Sequence, residues 1–216
     1  EFMFEYFNAT NIVYRFSKTL VKKYEEELSG PVSEFLSIDL DDDFHIKDNI
    51  IYANSDKKIT LSEAMRAFYY RGLHSARFSQ SLRSIIINCA LDVEEDEKYS
   101  MSSSVFFREI LKLSHNVGET LNVMNGLGVI GVFLPEFKDL IGFFQPGVYH
   151  CYTADEHTLI AIKNLESLTN KDSSLSKLFD SIRVKDTLYL SVLLHDIAKP
   201  ISISGHEIIG SEMVET

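Results

Sequence analysis

The chain of 216 residues is poor in cysteine and proline and has no long apolar run. Its two cysteines, Cys89 and Cys151, form no Cys-x-x-Cys pair, which excludes a disulfide framework. No apolar run approaches the ~20 residues that cross a bilayer. No basic and then apolar leader opens the chain. We therefore expect a cytoplasmic protein without a membrane span.

Positive charge is also scarce. The chain has 21 Lys and Arg residues against 32 Asp and Glu residues, a formal net charge of -11. Binding to nucleic acid depends on Lys and Arg that neutralise phosphates, so this balance argues against a DNA partner. A small phosphorylated substrate or a protein partner remains compatible with the charge.

What the sequence does contain is helical periodicity, and it predicts an all-α fold. In NATNIVYRFSKTLVKKYEEEL the apolar residues recur at helical spacing, and Asn8 or Thr10 offers an N-cap. The periodic residues are Ile12, Val13, Phe16, Leu20 and Tyr24. This segment predicts a long N-terminal helix.

The segment after this helix differs in character. An acidic stretch contains Asp39 and residues 41–43, but it lacks the glycine and the closing glutamate of a calcium loop, so we expect a solvated loop. The stretch FHIKDNIIYA alternates apolar and polar residues on both sides of residues 47–49, which predicts a small β-hairpin. Helical patterns resume at about Leu61 and continue, with breaks, to the end.

The stretch LYLSVLLHDIAKP concentrates the chemistry. On a helix, Lys199 would follow His195 by four residues and Asp196 by three, so the three side chains would share one face, and Pro200 would end the helix. A charge in so apolar a segment needs a partner. Histidine and aspartate are good ligands for Zn, Mn, Fe or Mg, so we expect a divalent metal opposite this pair.

Two further segments offer ligands for the same metal. In YHCYTADEHTLIAIKNL, Thr153 or Asp155 would cap a helix that carries His157 in its first turn. In SGHEIIGSEM, Ser204 would cap a short helix that carries His206. An isolated His-Asp pair is frequent by chance, so the predicted metal site depends on the three segments together.

These motifs carry a resemblance to a known family. The order H…HD followed by IAKP resembles the HD superfamily of metal-dependent phosphohydrolases. The stretch MNGLGVIGVFLPEFKDLIGFFQPGVYHCYTADEHTLIAIKNLESL, followed by LYLSVLLHDIAK, is similar to the central part of bifunctional uridylyltransferase/uridylyl-removing enzymes. Its most specific parts are LPEF, YHCYTADEHTL and LLHDIAK.

The resemblance implies an activity and a role for each site residue. In that family the HD domain hydrolyses the phosphodiester that links UMP to a tyrosine of the PII signalling protein. By analogy His157, His195 and Asp196 would bind the metal, and His206 would serve a second metal or the phosphate. Asp196 and Lys199 would be catalytic, with Lys199 beside the phosphate. The implied partner is a PII-like protein or a nucleotide substrate.

The resemblance also implies a division of the chain. We expect a long helix, acidic loop and hairpin in residues 1–58, a helical linker region in 59–147, and the first, truncated part of an HD domain in 148–216. The family places a further metal-binding aspartate several tens of residues after the HD motif, where this sequence has none. We therefore expect a fragment that binds metal weakly or not at all, and whose incomplete core self-associates into a homodimer.

Two alternatives remain open. The segment KPISISGHE replaces a glycine-rich segment of the family and is closer to HD domains attached to tRNA nucleotidyltransferases. This departure favours an HD phosphohydrolase with another nucleotide substrate. The second alternative is a non-catalytic helical spacer or interaction module.

Overall fold

A computed structural model describes residues 2–28, 37–144, 152–170 and 173–215, and these ranges are mostly helical. Their α-helices are α1 Phe2–Leu28, α2 Leu61–Leu73, α3 Gln80–Leu91, α4 Glu95–Lys98, α5 Met101–Leu111, α6 Val117–Gly126, α7 Val129–Phe133, α8 Pro135–Lys138, α9 Ala154–Glu166, α10 Ser174–Ser181, α11 Lys185–Leu194 and α12 His206–Glu215. A 3₁₀ helix, Ser167–Asn170, follows α9. Within the described ranges, none of the helices has the length and apolar character needed to cross a membrane.

A small sheet adds to the helical fold. The strands are β1 Ile38–Asp39, β2 Phe44–Lys47, β3 Ile50–Ala53 and β4 Arg77–Phe78, in the order β1-β2-β3-β4. The predicted hairpin is confirmed as β2 and β3, which are antiparallel and joined by Asp48 and Asn49 at positive φ. Strand β4 lies parallel to β3, and neither β1 nor β4 was predicted, because two residues are too few to show an alternating pattern.

The prediction of a solvated acidic loop is wrong for two of its aspartates. Asp41 accepts hydrogen bonds from the backbone N–H groups of Asp43 and Phe44, at 2.8 and 2.9 Å. The guanidinium of Arg66 pairs with both aspartates, and Lys57 Nζ lies 2.7 Å from Asp43 Oδ1. Arg66 of α2 and Lys57 after the hairpin therefore neutralise the two carboxylates, which the local sequence pattern predicted to be solvated.

The predicted first helix is present, but neither predicted cap lies at its end. Helix α1 begins at Phe2, so Asn8 and Thr10 fall within it. The Thr10 hydroxyl donates to the carbonyls of Tyr6 and Phe7 in the preceding turn, as a hydroxyl inside a helix does. The predicted apolar face is largely exposed, and Phe16 retains 67% of its surface.

The remaining helices surround one hydrophobic core, to which residues from Phe44 to Ile197 contribute. Helix α2 begins at Leu61, as expected, because Thr60 Oγ1 accepts from Glu63 N while the Glu63 carboxylate accepts from Thr60 N. The largest fully buried side chains are Phe44, Phe68, Phe137, Ile51, Leu61, Met65, Leu82, Ile86, Ile110, Leu121, Met124 and Ile130. The predicted boundary between residues 147 and 148 lies outside the described residues, and the three-part division stays a prediction.

Phe68 provides a test of this core. It is fully buried and packs edge-to-face against Phe78 with 5.1 Å between ring centroids. We expect Phe68→Ala to lower the free energy of unfolding by about 3 to 5 kcal/mol, because it removes buried surface and leaves a cavity. The exposed Phe16 supplies the control, for which Phe16→Ala should change stability by less than about 0.5 kcal/mol. Equal losses in urea denaturation would contradict the assigned core.

Candidate metal centre

Helix α9 brings the first predicted ligand, His157, into the first turn of a capped helix. Thr153, one of the two predicted caps, occupies the N-cap position, and the Glu156 carboxylate accepts a hydrogen bond from Thr153 N at 3.4 Å. His157 is exposed, three residues after Ala154, where α9 begins. A defined helix start therefore sets the position of this imidazole.

A buried carboxylate anchors the same end of α9 to the core. Asp155 is 3% exposed. Its Oδ2 accepts from Asn125 Nδ2 at 2.8 Å, and its Oδ1 accepts from Gly142 N at 3.1 Å. Sequence reasoning treated Asp155 as a helix-capping residue and missed this role, because both donors come from segments that are distant in sequence.

A second carboxylate anchors the other end of α9. The two oxygens of Glu166 accept from the N–H groups of Val117 and Gly118, at 2.8 and 3.1 Å, where α6 begins. These N–H groups have no acceptor within their own helix. A Cβ on Gly118 would lie 2.6 Å from Lys163 Cγ, so glycine permits the close approach of α6 and α9.

The HD motif does not lie within a helix, which corrects the prediction for His195, Asp196 and Lys199. Helix α11 ends at Leu194, His195 is its C-cap, and tight turns follow. A helical proline cannot donate to the carbonyl four residues before it, which for Pro200 is the carbonyl of Asp196. That carbonyl instead accepts from Lys199 N at 2.9 Å, and the chain turns.

The turn nevertheless brings the predicted site residues together around Asp196, whose side chain is 3% exposed. Ligand atoms of His157, His195 and Asp196 all lie within 4.8 Å of one another. Asp196 Oδ2 is 3.1 Å from His195 Nε2 and 2.7 Å from Lys199 Nζ. Its Oδ1 is 3.6 Å from His206 Nε2, so His206 approaches the carboxylate without joining the group of three.

Backbone carbonyls orient two of the imidazoles. His195 Nδ1 lies 2.7 Å from Val192 O, and His206 Nδ1 lies 3.0 Å from Ile203 O. A carbonyl oxygen only accepts, so each Nδ1 must carry a proton and donate it. Each Nε2 then faces Asp196 with either a lone pair for a metal or a second proton for the carboxylate.

The start of α12 places His206. The helix begins at His206, so the predicted cap at Ser204 is wrong by one position. Gly205 precedes the helix with a φ of 77°, a backbone conformation that residues other than glycine rarely adopt. The turn before α12 therefore requires glycine at position 205, directly after the predicted cap Ser204.

The charges in the turn shift two pKa values in opposite directions. Burial acts to raise the pKa of Asp196, but hydrogen bonds from His195 and Lys199 outweigh it and lower this pKa to about 2. The hydrogen bond to Asp196 raises the pKa of His195 above its ordinary value, although burial opposes it. The site therefore favours an anionic carboxylate next to cationic groups.

Comparisons with known proteins confirm the predicted resemblance to bifunctional uridylyltransferase/uridylyl-removing enzymes over most of the chain. The sequence is similar to the bifunctional uridylyltransferase/uridylyl-removing enzymes of Pseudomonas fluorescens, with 26% identity over 209 residues, and of Thiobacillus denitrificans, with 28% identity over 204 residues. These matches cover 92% and 90% of this chain, but 23% and 24% of the relatives. The chain thus spans about a quarter of the length of these curated relatives.

A shorter match has a higher identity. The enzyme of the same name from Methylococcus capsulatus is 36% identical over 114 residues, which are 50% of this chain and 13% of the relative. No protein-family model matches the sequence. No solved structure matches it.

The contact between Glu166 and α6 predicts a stability effect. We expect Glu166→Gln to lower the free energy of unfolding by about 1 kcal/mol, because the substitution removes a negative charge from the positive end of α6 and weakens one hydrogen bond. Glu109→Gln is the matched control, since Glu109 pairs with Lys112 on the surface. Equal effects in urea denaturation would show that Glu166 does not hold the two helices together.

The pKa shifts predict a pH dependence in metal-free buffer. Because the pKa of Asp196 is lowered from 3.8 to about 2, its stabilising effect should be present above about pH 4 and lost towards pH 2. Because the pKa of His195 is raised above 6.5, its contribution should be present below pH 6.5 and lost as the pH rises through the folded-state value.

These signs can be tested with Asp196→Asn. The difference in unfolding free energy between the wild type and this variant should be greatest between about pH 4 and pH 6, and should fall by about 2 kcal/mol towards pH 2. The measurement is denaturant unfolding at a series of pH values with EDTA present. A difference independent of pH would contradict the charge pairing.

Proposed function

We propose that the chain carries part of a metal-dependent phosphodiesterase centre of the HD type. The observation that supports this proposal is the group of His157, His195 and the buried Asp196, with ligand atoms within 4.8 Å of one another. The backbone partners of His195 and His206 direct a ring nitrogen of each towards Asp196. Histidines that only fill space in a core would not need ring nitrogens directed towards one carboxylate.

The donor set fits a divalent transition metal. His157 and His195 offer ring nitrogens and Asp196 offers a carboxylate oxygen, a combination that suits Zn, Mn or Fe better than Mg, which prefers oxygen ligands. Bound there, such a metal would lower the pKa of its water from about 15.7 towards 7 and polarise a phosphoryl oxygen. The anionic form of Asp196 is the form that binds a metal, and the low pKa of Asp196 maintains it at neutral pH.

Lys199 and His206 have complementary roles in this proposal. Lys199 Nζ is held 2.7 Å from Asp196 Oδ2, where its charge would stabilise negative phosphoryl oxygens in the transition state. His206 approaches the other oxygen of Asp196 and would contact the phosphate or a second metal. Both side chains are mostly buried, which keeps their geometry defined and strengthens their electrostatic effect.

The proposed substrate is a phosphodiester between a nucleoside monophosphate and a protein hydroxyl group. The names of the relatives include a uridylyl-removing activity, and the chain is similar to them over most of its length. We propose that the protein to which this chain belongs removes UMP from a tyrosine of a PII-like signalling protein. An HD phosphohydrolase with another nucleotide substrate remains the alternative, supported by the segment KPISISGHE.

Metal binding is the first test. The sequence alone predicts weak binding or none, but the group of three ligand residues leads us to expect weak binding. Titration of the 216-residue chain with Mn²⁺ or Zn²⁺ should saturate at about one ion per chain, and metal at 100 times Kd should stabilise the fold by about 2.7 kcal/mol. Asp196→Asn and His157→Ala should abolish both effects. The controls Asp42→Asn and His74→Ala alter exposed residues outside the group and should retain both effects. Absence of binding to the wild type would overturn the proposal.

Hydrolysis is the second test. With Mn²⁺ present, UMP should be released from a uridylylated tyrosine peptide, and Lys199→Met should lower kcat by about 10²-fold or more while metal binding persists. Release of a nucleotide other than UMP would support the alternative substrate. Metal binding without hydrolysis of any diester would favour the non-catalytic spacer module.

A further inference from the structure

A short loop beside the candidate metal centre exposes apolar side chains. The loop comprises residues 200–205, with the sequence PISISG, and contains no charged residue, although 25% of the residues of the chain are charged. Its two isoleucines, Ile201 and Ile203, are 61% and 53% exposed. Covering these side chains with an apolar group would remove their surface from water, which is favourable. The loop therefore offers a surface for the apolar part of a ligand.

Both ends of the 200–205 loop approach the carboxylate of Asp196. Lys199, directly before the loop, has its Nζ 2.7 Å from Asp196 Oδ2, and His206, directly after it, has its Nε2 3.6 Å from Asp196 Oδ1. Ile201 follows Lys199 by two residues, so their Cα atoms are at most about 7 Å apart. The carbonyl of Ile203 accepts from His206 Nδ1 at 3.0 Å. The two isoleucines therefore border the candidate centre.

Hydrogen bonds within the loop fix its shape. The backbone N–H groups of Ile201 and Ser202 both donate to Ala198 O at 3.0 Å, and the Ser202 hydroxyl donates to Ser204 O at 2.8 Å. Gly205 closes the loop with a φ of 77°. These bonds order the backbone without burying the isoleucines in the core. An ordered apolar surface loses less conformational entropy when it binds a ligand than a disordered one does.

The charges around the loop favour a ligand with few negative charges. Lys199 is the cation beside it, but Asp196 is anionic, and the exposed Glu207 has its Oε1 3.7 Å from His206 Nε2. A nucleoside triphosphate would place several negative charges near these two carboxylates. A phosphodiester carries one negative charge, which Lys199 can neutralise.

The position of the isoleucines also bears on the ester group. A ring joined to phosphorus through a single ester oxygen stays close to the phosphate, whereas a nucleobase is separated from its phosphate by a ribose. We propose that Ile201 and Ile203 determine specificity by contacting an aromatic alcohol group of the phosphodiester, so that the centre selects aryl over alkyl esters. This inference rests on the proposed phosphodiesterase function and names the residues that would recognise a tyrosine ring.

Two diesters of equal charge test the proposal. Methyl phenyl phosphate and dimethyl phosphate differ only in the replacement of a methyl group by a phenyl ring. Their binding to the 216-residue chain is measured by NMR titration, once with diamagnetic Zn²⁺ and once with EDTA. We expect methyl phenyl phosphate to bind at least about tenfold more tightly, because its ring removes isoleucine surface from water. Equal affinities, or no binding of either diester, would overturn the proposal.

Matched variants locate the contact. The double variant Ile201→Ser/Ile203→Ser should reduce the ratio of the two affinities to about one while the affinity for dimethyl phosphate persists. A merely structural defect would weaken the binding of both diesters. Ile208→Ser is the control, because Ile208 is 69% exposed and lies about 200° around α12 from His206, and it should retain the ratio. An unchanged ratio in the double variant would overturn the proposal.

The two titration conditions separate this inference from the proposed function. The 200–205 loop contains none of the three candidate metal ligands, so we expect the preference for the phenyl ester both with Zn²⁺ and with EDTA. Binding of Zn²⁺ without this preference would overturn the role of the isoleucines and leave the metal centre standing. The preference in EDTA together with no binding of Zn²⁺ would support the role of the isoleucines and overturn the metal-dependent function.

Discussion

The attachment of α9 to α6 is the constraint on which the candidate site depends. Asp155 and Glu166 fix the two ends of α9, each through hydrogen bonds to groups that would otherwise lack a partner. Gly118 permits the close approach of α6 to α9 at Lys163. Because His157 follows Asp155 by two residues, the interactions that hold the helix in place also place the first candidate ligand.

The second determinant is the cost of burying Asp196. A carboxylate that is almost removed from water requires compensating charge, and here Lys199, His195 and His206 approach its two oxygens. The same arrangement that makes burial tolerable produces a site with a carboxylate that is ionised at neutral pH and with ring nitrogens directed towards it. Stability of the turn and the proposed metal chemistry therefore have one physical origin.

Much of the local structure was predictable. Alternation with a turn at Asp48 and Asn49 predicted the hairpin, and helical periodicity predicted α2 and the later helices. The start of α9 was also predicted, although the sequence left Thr153 and Asp155 as alternative caps and the structure selects Thr153. Predictions failed where a distant residue decided the outcome, as for the acidic loop neutralised by Arg66.

For the candidate site, the sequence by itself determined which residue types are available: three histidines, an aspartate and a lysine, in segments of recognisable resemblance. Only the tertiary structure decided that the helix before the HD motif ends at Leu194, and that Asp196 is the point where these side chains converge. The physical reason is that spacing along one helix sets only local neighbours, whereas the contacts of His157 and His206 with the turn depend on how separate helices pack.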